Sequence, residues 1–115
     1  MNTFEKALAE IRKDYNVVQF TTTYAQIEFD ILFDDYNYIF IGVLFEDNKV
    51  ILTDFADYAE LCPWEDDNIH EVEEICQKHG VTFKNYHIER IYHSNEDIKL
   101  YLDCLLELKE KYAKE

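Results

Sequence analysis

Residues 38 to 61 read Tyr38-Ile-Phe-Ile-Gly-Val-Leu-Phe45, then Glu46-Asp-Asn-Lys49, then Val50-Ile-Leu-Thr-Asp54, then Phe55-Ala-Asp-Tyr-Ala-Glu-Leu61. Two runs rich in Ile, Val, Phe and Leu flank four residues of turn chemistry, which is the pattern of a β-hairpin. Both runs are nearly continuous in apolar residues instead of alternating. The hairpin is therefore expected at the centre of its sheet, with both faces covered. Thr53 or Asp54 then offers a short side-chain oxygen to the free N–H groups of a following helix, expected over Phe55 to Leu61.

Upstream of this hairpin, Phe4, Ala7, Leu8 and Ile11 fall at helical spacing within residues 3 to 14, with Asn2 or Thr3 as the cap. Val17-Val-Gln-Phe20 reads as a short strand, and Thr21-Thr-Thr23 continues its β-branched character. Tyr24 to Phe33 alternates, with Ile27, Phe29, Ile31 and Phe33 on one face and Gln26, Glu28, Asp30 and Leu32 on the other. That is a half-buried strand with an acidic outer face, and Asp34-Asp-Tyr-Asn37 supplies the next turn.

Downstream, Pro63 breaks the short helix, and Asn68 is placed to cap the next one with Glu71 in capping-box position. Ile69, Val72, Ile75 and Cys76 form its apolar stripe, and Gly80 stops it. Val81 to Tyr92 reads as one strand with an irregularity near Tyr86-His87. Ser94 caps a last helix whose stripe is Ile98, Tyr101, Leu102, Leu105, Leu108 and Tyr112. The order α-β-β-β-β-α-α-β-α over residues 1–115 predicts a single α+β domain, a mainly antiparallel sheet of about five strands with helices at both ends of the chain.

A chain of 115 residues can bury about two-thirds of its unfolded surface without staples. Hydrophobic content of 48% with two Gly and one Pro argues for a compact fold over disorder. No apolar N-terminal run reads as a signal peptide and no stretch reads as a membrane span, so a cytoplasmic protein is expected. Three cysteines, Cys62, Cys76 and Cys104, cannot all pair within the chain, and they read as reduced, buried thiols.

The charge is lopsided. Residues 14 to 77 hold sixteen acidic residues and one basic residue, Lys49, whereas residues 78 to 115 hold seven of each. The net charge of −14 therefore belongs to one continuous stretch, which alone carries −15 and which the rest of the chain offsets by one. Such a field repels nucleic acid and anionic membranes and attracts basic proteins or cations.

The segment from Ile27 to Leu61 resembles a family of small bacterial and phage-borne domains of unknown function, in which a strand ends in Leu-Thr-Asp-Asp-Gly before a helical half. Ile51-Leu-Thr-Asp54 carries the match, and Phe55-Ala56 departs from it. The resemblance implies an N-terminal helix followed by a β-meander, and no established activity.

Three constellations compete for function. The first is an acidic binding surface formed by Asp54, Asp57, Tyr58, Glu60, Trp64, Glu65, Asp66, Asp67, Glu71 and Glu74, in a stretch that also holds Glu73 and no Lys or Arg. Carboxylates around Tyr58 and Trp64 suit a Lys/Arg-rich partner, because aromatic rings add contact area and cation–π attraction. A merely solubilising face is the alternative, as is Trp64 buried in the core.

The second is a metal-dependent nuclease, with Glu28 or Asp30 and Asp47-Asn-Lys49 holding Mg²⁺ and an attacking water. The scarcity of basic residues to hold phosphates and the turn chemistry of Asp47-Asn48 argue against it. The third is a zinc site from Cys62, His70, Cys76 and His79, which has only one short-spaced pair and places Cys76 in an apolar stripe. His87 and His93 read as surface histidines. No cofactor and no metal is expected.

The sequence-level expectation is thus a non-enzymatic module that occupies a basic site on a partner protein. A nucleic-acid-mimicking inhibitor, an immunity protein or an antitoxin would share this physics. The alternative is a self-associating accessory or scaffold domain, using part of a surplus of nine Tyr and eight Phe at a homodimer interface.

Overall fold

Asp47 and Asn48 settle the central hairpin. Both have positive φ, 53° and 60°, the pair of left-handed residues that a two-residue type I′ turn requires. Glu46 faces Lys49 across them. The computed structural model describes residues 2–32, 38–54, 66–84 and 87–112, with the backbone alone at 66–68 and 112.

The elements in chain order are α1 (Thr3–Ile11), β1 (Asn16–Gln19), β2 (Tyr24–Leu32), β3 (Tyr38–Glu46), β4 (Lys49–Thr53), α2 (Asp66–Lys78), β5 (Thr82–Lys84), β6 (His87–Ile91) and α3 (Asn95–Tyr112). The strands form one six-stranded sheet in the order β1-β2-β3-β4-β6-β5. Every neighbouring pair is antiparallel. The fold is α+β, and β3 and β4 lie at the middle of the sheet as the apolar runs required.

Period two sorts the sheet into faces. Ala25, Ile27, Ile41, Val43, Val50, Leu52 and Ile88 are buried on one face. Against them pack Phe4, Leu8 and Ile11 of α1, Val72, Ile75 and Cys76 of α2, and Ile98, Tyr101, Leu105 and Leu108 of α3, in one hydrophobic cluster. All three helices therefore cover the same side. The two-sided covering expected of β3 and β4 is not what these helices provide. Phe40, Leu44 and Ile51, on the opposite face, are half-buried.

Local chemistry sets the helix ends. The Asn2 side chain accepts the Glu5 N–H at 2.8 Å and starts α1. Helix α2 begins at Asp66, two residues before the expected cap, so Asn68 lies inside its first turn. The first-turn positions 66 and 67 are acidic, which suits the positive end of the helix dipole. At the other end Val81 N–H bonds Cys76 C=O and Gly80 N–H bonds Gln77 C=O. This is a Schellman cap, and Gly80 takes the left-handed φ of 71° that it demands.

The stretch Val81 to Tyr92 differs from the single strand expected. It is two strands paired antiparallel, Lys84 with His87 and Thr82 with Glu89, and the irregularity expected at Tyr86 lies outside the described residues. The expected helix over Phe55 to Leu61 and the turn at Asp34 to Asn37 lie outside the described residues.

Arg90 and Asp97 tie these parts together. Arg90 Nε donates to Asp97 Oδ1 at 2.8 Å, and Arg90 Nη1 donates to the Gly80 carbonyl at the end of α2. Asp97 Oδ2 accepts the backbone N–H of His93 at 2.7 Å and of Ser94 at 2.9 Å, closing the first turn of α3. Burial opposes ionisation of this carboxyl. The two backbone donors and Arg90 outweigh it and hold Asp97 below its ordinary value.

Asp97→Ala is expected to cost about 2–4 kcal/mol, from a lost cap and an Arg90 left half-buried without its partner. Because the folded-state value is depressed, this contribution is complete above the unfolded carboxyl value of about 3.9 and fades as the pH falls through the folded one. Urea unfolding should show a wide gap between wild type and variant at neutral pH, narrowing at about pH 3. A gap of constant width would contradict this assignment.

Candidate binding face

The acidic residues singled out from the sequence do not share one fate. Asp54 is fully buried, which removes it from any partner-facing surface. Its Oδ1 accepts the Ile88 N–H at 3.0 Å, and the Tyr101 hydroxyl donates to the Ile88 carbonyl at 2.5 Å. Pairing of β4 with β6 stops at Thr53 and Glu89. These two side chains therefore take the backbone groups of Ile88 that β4 no longer reaches.

Asp57, Tyr58, Glu60, Trp64 and Glu65 lie outside the described residues, and Asp66 and Asp67 stand in the first turn of α2 with their side chains undescribed. Glu71 pairs with Lys111 of α3 at 2.8 Å. Glu74 is exposed.

The nuclease grouping is not assembled. Glu28 stands opposite Phe40 and Lys49 opposite Glu46. Six residues of β3 separate those positions, about 20 Å at the usual strand rise. Among the described residues no group of three His, Cys, Asp or Glu side chains could hold a metal ion. Cys76 and Cys104 are free and buried, their sulfurs 3.8 Å apart between α2 and α3. The contact with Cys76, followed by burial, pushes the Cys104 thiol well up. His93 is exposed as expected, whereas His87 is half-buried, and its Nδ1 has no hydrogen-bond partner among the described residues.

The feature that stands out lies on the sheet itself. An antiparallel sheet with one solvated face ordinarily alternates apolar-in and polar-out. Here the face opposite the described helices carries Tyr24, Leu44, Ile51 and Ile91 as one cross-strand row. Phe20 stacks on Tyr24 with ring centroids 5.9 Å apart. Val18, Leu32 and Tyr38 continue the face by alternation and register. Val18, Phe20, Leu32, Tyr38 and Ile91 are the exposed large hydrophobics among the described residues, and all fall on this one side. Tyr38 is 59% and Phe20 56% exposed.

A cleft of about 480 Å³ opens beside this face where β2 carries extra residues relative to β3, between Glu28 and Leu32, and reaches Phe29 and Ile39 of the inward-facing set. Its lining includes Gln26, Glu28, Asp30, Tyr38 and Phe40. Glu28 and Asp30 are exposed. Neither is in an ion pair, and no basic side chain is among the described lining residues. The acidic outer face of β2 was legible from alternation. That it adjoins an open aromatic cleft depends on the irregular pairing with β3.

Charge is distributed unevenly in space as well. Several cations of the C-terminal third bond carboxylates of that same third: Lys78 with Glu107 at 2.7 Å and Arg90 with Asp97 at 2.8 Å. The hydrogen bond from Lys78, then that from His79, holds Glu107 below its ordinary value. Lys111 reaches Glu71, while Glu28, Asp30, Glu46, Asp47, Glu73 and Glu74 are in no ion pair.

No helix among the described residues is long and apolar enough to cross a membrane. Neither a family model, nor a curated protein, nor a solved structure matches the chain.

Asp54→Ala is expected to destabilise the fold by about 1–3 kcal/mol, the cost of an orphaned buried N–H at Ile88. Asp54→Asn, which keeps an acceptor, should cost less, and both are read from urea melts. In a Cys62→Ser background the native protein should show no fast reaction of Cys76 or Cys104 with a thiol reagent, and full reaction after unfolding.

Proposed function

We propose that the chain is an acidic protein-binding module that engages a basic surface on a partner protein and catalyses no reaction. The observation that supports this reading is the excess of carboxylates between residues 14 and 77, against which, among the described residues, one cation from the C-terminal third, Lys111, folds. A nucleic-acid-mimicking inhibitor, an immunity protein and an antitoxin are the classes whose task matches such a field. Free Cys76 and Cys104 suit a reducing, cytoplasmic compartment.

A second reading, self-association as an accessory or scaffold domain, draws support from the exposed aromatic and aliphatic side chains gathered on one sheet face. Sedimentation over a range of low concentrations separates the two, because a competitor for a basic site works as a monomer.

Immobilised poly-arginine is the probe for the first reading, with duplex DNA as the opposite control. The protein should bind poly-arginine and ignore DNA. Its affinity should weaken by about tenfold or more between about 50 and 300 mM salt, as expected for exposed charges beyond a shrinking Debye length. An affinity that stays flat over that range would refute the electrostatic reading.

A further inference from the structure

We propose that the sheet face opposite the described helices is the docking surface, and that the cleft at Glu28, Asp30 and Tyr38 receives an arginine side chain of the basic partner. The inference rests on the acidic-module reading above and moves its centre from residues 54–74 to β2 and β3. Three features point to arginine.

The first is electrostatic. Glu28 and Asp30 project from the outer positions of β2, exposed and without a cationic partner, beside a cleft with no basic side chain in its described lining. A guanidinium entering there meets carboxylates that pay no penalty for leaving an existing ion pair, and its planar donors can span a carboxylate in a bidentate fork.

The second is aromatic. Tyr38, an exposed ring, lines the same cleft, and a guanidinium stacks on such a ring more readily than an ammonium does, being flat and weakly hydrated. The third is apolar area next to the charge. The row Tyr24–Leu44–Ile51–Ile91 runs across the sheet from β2 to β6, and burying it would exclude water around the charged contact, as at a hot spot with its surrounding ring.

The other candidate occupant is a second copy of this chain. Complementarity argues against it, since a copy would bring the same Glu28 and Asp30 and a net charge of −14 to the contact. The far side of the face does not alter this, because Lys49 and Glu46 stand opposite each other there and offer no surplus of either sign.

The test uses the whole chain, ¹⁵N-labelled, titrated with a hexa-arginine peptide and with hexa-lysine of equal charge. Hexa-arginine should shift the amide resonances of Gln26, Glu28, Asp30 and Tyr38 saturably, and should bind more tightly than hexa-lysine. The double variant Glu28→Gln/Asp30→Asn alters exposed side chains conservatively. It should weaken hexa-arginine binding by about tenfold while leaving the melting temperature unchanged. Tyr38→Ala should reverse the preference for hexa-arginine over hexa-lysine or abolish it.

The control is Glu73→Gln/Glu74→Gln on α2, which removes equal charge from the helical side and should change affinity by less than about twofold. If hexa-arginine binds but the α2 variant weakens it as much as the β2 variant, the location is wrong while the acidic-module reading stands. If hexa-arginine does not bind at all, both fail. If sedimentation shows a dimer and the β2–β3 resonances shift with protein concentration instead of with peptide, a second copy occupies the face and the inference falls.

Discussion

The Arg90–Asp97 clamp is the constraint from which the C-terminal half takes its arrangement. Arg90 sits on β6 opposite Leu52 of β4, on the side of the sheet that the helices cover. From there its guanidinium reaches the Gly80 carbonyl at the end of α2 and the Asp97 carboxylate at the start of α3. One planar group thus fixes the exit of one helix, the entry of the next and the strand between them. Gly80 is bound into this twice over: its φ of 71° suits glycine, and a Cβ there would lie 2.8 Å from Arg90 Nη1. Replacement would both strain the Schellman cap and push the guanidinium off its carbonyl.

With α2 and α3 docked to one side, joined by Cys76 against Cys104 in the core, none of the described helices lies over the opposite side of the sheet. Backbone pairing places Tyr24, Leu44, Ile51 and Ile91 in line there regardless. The apolar character of that face is the departure from the usual polar-out rule.

Much of this was readable from sequence because local chemistry and tertiary structure agree. Asp47-Asn48 adopts the left-handed turn its residue types favour, Gly80 ends α2, and the odd-numbered positions of β2 face inward as the alternation of Ile27, Phe29 and Ile31 implied. The errors have equally physical causes. The hairpin within Val81 to Tyr92 was missed because Thr82-Phe-Lys84 and His87 to Ile91 are both short and β-like, with no Gly between them to mark the reversal. Asp54 was counted as surface because sequence cannot show that β4 ends one residue short of Ile88's backbone groups.

An apolar sheet face would ordinarily stack on its own image, because burying rings and branched chains is favourable whatever the partner. What distinguishes partners is the charge beside the apolar row. Carboxylates brought face to face across an interface lie within a Debye length of about 8 Å and are poorly screened there, so a copy of the same chain is opposed and a cation-bearing surface is drawn in. In the docking proposed above, the same Glu28 and Asp30 would supply repulsion against a copy of the chain and attraction for a basic surface, which is how selectivity arises without a rigid pocket. An acidic excess that served only solubility would have no need to border the apolar side of the sheet, whereas a docking face needs both in one place.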